Sequence, residues 1–157
     1  MKARLPLLAL LLTCLVSWTA LAETDKRQSA PLDAAQLTFG TLDDNTQQVN
    51  PDEIWRIRGT ATSAEPPGAI VIDYAFERVY VKDSLANVVE KVSGVRPLKK
   101  FTLPSRAPVY IVTSKVIGIT RSIAHLHHQN AHAVIVAREG QTQVQESREA
   151  ISEALVK

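Results

Sequence analysis

The chain contains very few of the residues from which chemical sites are usually built. Its 157 residues include one cysteine, six glycines and only 5% aromatic residues. The cysteine is Cys14, so residues 23–157 offer no thiol for a disulfide, a nucleophile or a metal ligand. The sequence also lacks a phosphate-cradling glycine loop, a serine-hydrolase elbow and a zinc-protease motif. We therefore predict a protein that is not an enzyme, with no catalytic residues.

The first 22 residues predict an export signal. Lys2 and Arg4 precede an apolar run over residues 5–16, and Ala20-Leu21-Ala22 places small residues where signal peptidase cleaves. Residues 23–35 are polar and have no periodicity, which is typical of a flexible linker. We expect a cleaved signal peptide over 1–22 and a periplasmic or secreted protein.

Two alternatives to cleavage are weaker. An uncleaved anchor would need about 20 apolar residues to cross the bilayer, which is longer than this run. A lipoprotein would use Cys14 as its acceptor, but Thr13 is not the small residue usual before that cysteine. After cleavage we expect no stable membrane insertion.

Removal of the signal changes the charge of the protein. The full chain has 18 Lys and Arg against 16 Asp and Glu, a net charge of +2. Lys2 and Arg4 leave with the signal peptide, so the mature chain is neutral when its histidines are neutral. A neutral surface provides no field to hold a phosphate backbone, and we expect no nucleic-acid binding.

Residues 36–157 contain the same pattern twice. The offset between matched residues stays between 62 and 64. Short alternating apolar segments predict strands, and a stripe at helical spacing after a serine N-cap predicts a helix. The matched sets are Phe39 with Phe101, Ile54 and Ile57 with Val116 and Ile119, Ala69–Ile72 with Ala133–Val136, and Val81, Ser84, Val88 and Val92 with Val144, Ser147, Ile151 and Leu155.

This pattern predicts an α+β fold of two tandem small antiparallel β-modules, each followed by a C-terminal amphipathic helix. The modules span residues 36–94 and 99–157. A module of this size buries too small a fraction of its surface to be stable alone, so we expect one globular unit, packed side by side or joined into a larger sheet. Chance similarity of spacing is the alternative to a true duplication.

Several short runs carry a resemblance to a known family. In the first half they are Asn50–Ile54, Ala69–Ile72 and Val79–Ser84 with the helix that follows, and in the second half Val144–Ser147 with its helix. In this order each half resembles the short FlbD-like module found in flagellar gene clusters. The resemblance implies a fold of strands followed by a helix and assigns no residue a role. The same order is similar to the LytTR DNA-binding domain, a use that export and neutral charge disfavour.

All four histidines lie in one short segment, at His125, His127, His128 and His132. Imidazole is a common ligand of zinc and copper, and His128 and His132 would share one face if the segment were helical. A solvated polar loop is the simpler interpretation, because no cysteine or carboxylate joins the group and structural sites normally have four ligands. A loop that responds to pH is the third possibility.

Four residues of the first half are candidates for partner contact: Trp55, Arg56, Arg58 and Tyr80. Alternation puts Arg56 and Arg58 on the face opposite Trp55, as a basic stripe that meets an acidic partner or keeps an edge strand soluble. Aromatic residues more often fill the core, but outward ones commonly mark contacts.

We therefore predict a non-enzymatic interaction or accessory protein of the periplasm, without a cofactor. It would meet another periplasmic or envelope protein through sheet edges or outward aromatics, and its oligomeric state stays open. The rival prediction is a periplasmic metal-binding protein that uses the histidine loop over 125–132.

Overall fold

The computed structural model describes residues 36–156, which form ten strands and two α-helices. The predicted signal peptide and linker lie outside the described residues. The strands are β1 (Leu37–Gly40), β2 (Thr46–Val49), β3 (Ile54–Gly59), β4 (Ile70–Tyr74), β5 (Glu77–Val81), β6 (Leu98–Thr102), β7 (Pro108–Val112), β8 (Val116–Arg121), β9 (Ala133–Ala137) and β10 (Gly140–Val144). The helices are α1 (Leu85–Ser93) and α2 (Arg148–Val156).

The strands form three sheets in which every pairing is antiparallel. The largest sheet has the order β5-β4-β3-β7-β6, a second has the order β10-β9-β8, and β1 pairs with β2 alone. The predicted α+β class is confirmed. Neither helix in the described range is long and apolar enough to cross a membrane.

Both halves run through a hairpin, a three-stranded meander and a helix, and the meanders share an irregularity. The register of β3 with β4 shifts between Ile54 and Arg56, and that of β8 with β9 shifts between Val116 and Gly118. A bulge bends a strand and increases its twist. The two meanders are therefore bent at matching positions.

The hairpin of each half is tied to the last strand of its own meander by a matching bond. Lys82 N donates to Gly40 O at 3.1 Å, and Gln145 N donates to Thr102 O at 2.8 Å. These bonds join the β1–β2 hairpin to the end of the first meander and the β6–β7 hairpin to the end of the second.

The predicted serine caps are confirmed. Ser84 Oγ accepts from Asn87 N at 3.2 Å, and Ser147 Oγ accepts from Ala150 N at 3.2 Å. Each bond satisfies one backbone N–H that the first helical turn leaves free. The capped helices bury Val88 and Val92 in α1 and Ile151 in α2.

The described residues form two apolar cores, each built on one of the two matched phenylalanines, and the first core also takes in Val112 from the second half. The first core includes Phe39, Val49, Ile54, Ile57, Ile72, Val81, Val88 and Val92, and the second includes Phe101, Val109, Ile111, Ile135, Val144 and Ile151. Phe39 and Phe101 are almost completely buried. Tyr74 and Tyr110 pack against the first core, the commoner role of aromatics that we weighed from the sequence.

The two halves share one sheet because β7 of the second half pairs with β3 of the first. The register places Arg56 opposite Ile111, Ile57 opposite Tyr110 and Arg58 opposite Val109. Strand β3 is therefore central, and the interpretation of its arginines as protection for an edge strand is wrong.

Candidate functional site: the junction of the halves and the free edge of β8

A network of charged side chains covers the face of β3, β4 and β5 opposite the first core. Arg56 Nε lies 2.8 Å from Asp73 Oδ2, and Arg78 Nε lies 2.8 Å from Asp73 Oδ1. Arg58 Nη2 lies 2.6 Å from Glu65 Oε1. Arg78 Nη1 also reaches Glu65 Oε1 at 3.1 Å, so the two carboxylates link all three arginines.

The centre of this network is buried. Arg58, Glu65 and Asp73 are each less than a tenth exposed. The hydrogen bond from Arg58, supported by the backbone N–H of Ala61, lowers the pKa of Glu65 to about 2. Burial lowers the pKa of Arg56 from its ordinary value, in opposition to Asp73. Buried charges of this kind are stable only when they are paired.

Arg56 also holds the two halves together. Its Nη1 donates to Thr142 Oγ1 at 2.8 Å and to Gln141 O at 3.2 Å, both on β10 of the second half. The Arg56 guanidinium lies 4.3 Å from the centre of the Trp55 ring. A Cβ on Gly140 would lie 3.2 Å from Trp55 Cζ2, so the indole packs closely against the start of β10.

The four predicted partner-contact residues thus lie together, but Trp55 and Arg58 are buried and Arg56 and Tyr80 are half-buried. Trp55 is buried and stacked on Arg56, and Arg58 is buried against Glu65. Tyr80 is half-buried, and its hydrogen bond with Arg78 raises the pKa of that guanidinium. The expected exposed basic stripe is a structural junction.

A polar cleft of about 290 Å³ opens beside this junction, between the β4–β5 turn and the β9–β10 turn. Glu139 lines the cleft, and its Oε1 lies 3.3 Å from Lys115 Nζ. Glu139 Oε2 is buried and has no hydrogen-bond partner among residues 36–156. The arginines that line the cleft are therefore paired, whereas one oxygen of Glu139 beside it is buried without a partner among residues 36–156.

Phe76 stands at the rim of the cleft with 78% of its surface exposed. It follows Ala75 in the two-residue turn between β4 and β5, where Ala75 has φ of 45°. A positive φ at the first of two loop residues is the geometry of a type II′ turn, which favours glycine there. Phe76 was not singled out from the sequence, although its place between the two alternating segments 70–74 and 77–81 is a signal for an outward side chain.

Strand β8 has one free edge. It pairs with β9 on one side, and no strand within the described range pairs with it on the other. Ile117 in this strand is 69% exposed. Gly118 has no positive φ, and a Cβ there would meet no atom of residues 36–156 within 4 Å, so nothing around it in the described part of the chain requires a glycine. Strand β2 similarly pairs only with β1 among these residues, and most of it is exposed.

The histidine segment between β8 and β9 contains turns and no regular helix, so the helical spacing of His128 and His132 is absent. His127 Nδ1 accepts from Ile123 N at 2.8 Å, and His128 Nδ1 accepts from Asn130 N at 3.1 Å. Within residues 36–156 no three His, Cys, Asp or Glu side chains are grouped to hold a metal ion. The metal site, including His125 and His132, stays a prediction that this geometry does not favour.

Comparison with protein-family models, curated proteins and solved structures finds no match to this chain. The resemblance to the FlbD-like module therefore stays an expectation. Function is therefore inferred from the geometry of residues 36–156 and from the sequence.

Proposed function

We propose that this chain is an exported, non-enzymatic interaction protein whose partner polypeptide adds a strand to the free edge of β8. The observation that carries the proposal is that β8, an apolar strand with Ile117 exposed, has one edge that no other strand among residues 36–156 pairs with. An unpaired edge presents a row of backbone donors and acceptors to another chain, and pairing there is a common mode of peptide recognition.

Where a strand edge is not used for binding, natural proteins protect it by placing lysine or proline in the strand or by covering it with another segment. Strand β8 contains neither lysine nor proline, and Arg121 at its end is its single charge. The outer edges of β5 and β10 are by contrast partly covered by the hairpin of their own half. Among these edges, β8 is the one suited to strand addition.

The architecture behind this proposal is a pair of tandem modules, 36–94 and 99–157. Matching bulges, matching hairpin bonds and matching serine caps support a duplication. Chance similarity of spacing does not explain why these local irregularities also match. In the first module the edge of β3 is paired with β7. The equivalent edge of β8 in the second module is unpaired within residues 36–156.

Export is supported by the signal pattern of residues 1–22 alone. Expression of the whole chain in a Gram-negative host, followed by the intact mass of the protein in the periplasmic fraction, tests it. The expected protein begins at Glu23. A full-length mass confined to the cytoplasm would contradict export and would redirect the search for a partner.

Site-specific photo-cross-linking in intact cells tests the binding edge. A photoreactive amino acid replaces Thr120, an exposed residue of β8. We expect a discrete adduct that Ile117→Lys abolishes, because a charge on the edge opposes strand addition. Leu126→Lys is the matched control, since Leu126 lies in the following loop and is 67% exposed.

Two results would overturn the proposal. One is the absence of any adduct from position 120. The other is an adduct that Leu126→Lys removes as completely as Ile117→Lys does, since that would reflect general surface polarity and not the strand edge.

A further inference from the structure

The junction inside this chain is itself an example of strand addition. Strand β3 of the first half receives β7 of the second half on the edge that its own meander leaves open. In the second half, the strand equivalent to β3 is β8. Both strands contain a bulge at the matching position, and both pair with the middle strand of their own meander.

The strand equivalent to β7 is β2. Phe39 lies opposite Gln47 in the first hairpin, as its counterpart Phe101 lies opposite Val109 in the second. Strands β8 and β2 are therefore the two halves of a second, unused junction of the β3–β7 type. Both have a free edge within the described residues, and the chain does not pair them with each other.

We infer that the partner of β8 is β2 of a second copy of this chain, added in the register of the β3–β7 junction. Arg58 pairs with Val109 and Ile57 with Tyr110 inside the chain. The equivalent intermolecular pairs are Thr120 with Gln47, Ile119 with Gln48 and Gly118 with Val49. This inference rests on the proposed function of β8 and names its partner.

The same correspondence explains two exposed apolar side chains at once. Inside the chain, Trp55 in the bulge of β3 packs against Gly140 at the β9–β10 turn. Ile117 occupies the bulge of β8, and the matching turn of the next copy carries Phe76 and Glu77. Ile117 is 69% exposed and Phe76 is 78% exposed. The intermolecular junction brings these two surfaces together.

An assembly of this kind is heterologous, because each copy contributes β8 at one end and β2 at the other. Repetition of one such contact produces a closed ring or an open filament. The polar side chains of β2, among them Gln47 and Gln48, limit the apolar area of the contact and favour an association that depends on concentration.

The register can be tested by disulfide trapping between copies. In a chain whose single cysteine is removed by Cys14→Ser, one preparation carries Thr120→Cys and a second carries Gln47→Cys. Opposed residues of antiparallel strands have Cα atoms about 4.5 to 5.5 Å apart, within the range of a disulfide. When the two preparations are mixed and mildly oxidised, we expect a disulfide-linked dimer of one Thr120→Cys and one Gln47→Cys copy. The off-register control mixes Gln47→Cys with Leu126→Cys and should give little disulfide-linked dimer.

Sedimentation velocity over a range of concentrations tests the self-association. We expect the unsubstituted chain to shift towards larger species as concentration rises. Ile117→Lys and Phe76→Lys should each weaken association by about tenfold, a loss of about 1.4 kcal/mol. Leu126→Lys should leave it unchanged, and circular dichroism verifies that all variants fold.

The outcomes separate this inference from the proposed function. A chain that stays monomeric at every concentration and gives no Thr120–Gln47 disulfide overturns the inference. If position 120 still cross-links to a different protein in cells, the binding edge stands and the second copy is rejected. If position 120 cross-links to nothing, both are rejected.

Discussion

Substitution of Glu65 by glutamine should remove a stabilising contribution that depends on pH. Glu65 is buried against Arg58, whose hydrogen bond and charge, together with the backbone N–H groups of Ala61 and Thr62, lower its pKa from 4.5 to about 2 against the opposing effect of burial. A group whose pKa is depressed in the folded state contributes its stability above the unfolded pKa and loses it as the pH falls through the folded pKa. The contribution should therefore be complete above pH 4.5 and disappear towards pH 2.

A pKa that falls from 4.5 to about 2 corresponds to about 3 kcal/mol of stability at neutral pH. Removal of one partner from a buried ion pair costs about 3 to 5 kcal/mol, which is the same order. Glu65→Gln should therefore unfold at a clearly lower urea concentration at pH 7. The free energy of unfolding follows from urea denaturation by linear extrapolation, provided that the m value is unchanged.

The measurement is repeated at intervals from pH 7 to pH 2. The difference between the original chain and Glu65→Gln should be constant down to about pH 5 and should shrink below it. Glu90→Gln is the control, because Glu90 is exposed on α1 and should give a difference near zero throughout. A Glu65 difference that stays the same from pH 7 to pH 2 would refute the argument from the buried pair.

Three further substitutions test other parts of the fold by urea denaturation. Ala75→Gly should stabilise the protein by about 1 kcal/mol by removing strain at a positive φ, whereas Ala86→Gly inside α1 should destabilise it by a similar amount. Ser84→Ala and Ser147→Ala should each cost about 1 kcal/mol if the caps act alike, and a large difference between them would contradict their equivalence. Arg56→Lys should destabilise by about 1 to 2 kcal/mol, because lysine keeps the charge but not the fork that reaches both Asp73 and Thr142; an unchanged midpoint would exclude Arg56 as a link between the halves.

The features that the sequence predicted correctly are those determined by neighbouring residues. The serine caps at Ser84 and Ser147 follow from residues three positions apart, and the apolar stripes behind them follow from helical periodicity. Phe39 and Phe101 occupy the same place in their hairpins, because their strands have the same distance to the next turn. The match of Ala69–Ile72 with Ala133–Val136 is wrong by one residue, because Val81 lies opposite Ile70 and its counterpart Val144 lies opposite Ala133. The α+β class follows from these local patterns together.

The role of Arg56 and Arg58 could not be predicted from neighbouring residues in this way. Alternation along β3 predicts that Arg56 lies on the face opposite Trp55, and this is wrong. The bulge between Ile54 and Arg56 interrupts the alternation, so the Trp55 ring stacks on the Arg56 guanidinium. The arginines are covered by Glu65 in the loop after β3 and by Thr142 on β10, and the edge of β3 is taken by β7, more than 50 residues further along the chain. Two arginines on one strand are typical of an exposed edge strand when the segments that are distant in the sequence are not considered.

The order of strands and helices, the capped helix starts and most core residues follow from short-range spacing in the amino-acid sequence. The joining of the halves through β3 and β7, the burial of the arginines and the free edge of β8 within residues 36–156 are visible only in the folded chain. Strand pairing is a contact between distant segments, and several edges of similar local sequence are available to each strand. Which edge is taken depends on how the whole chain packs.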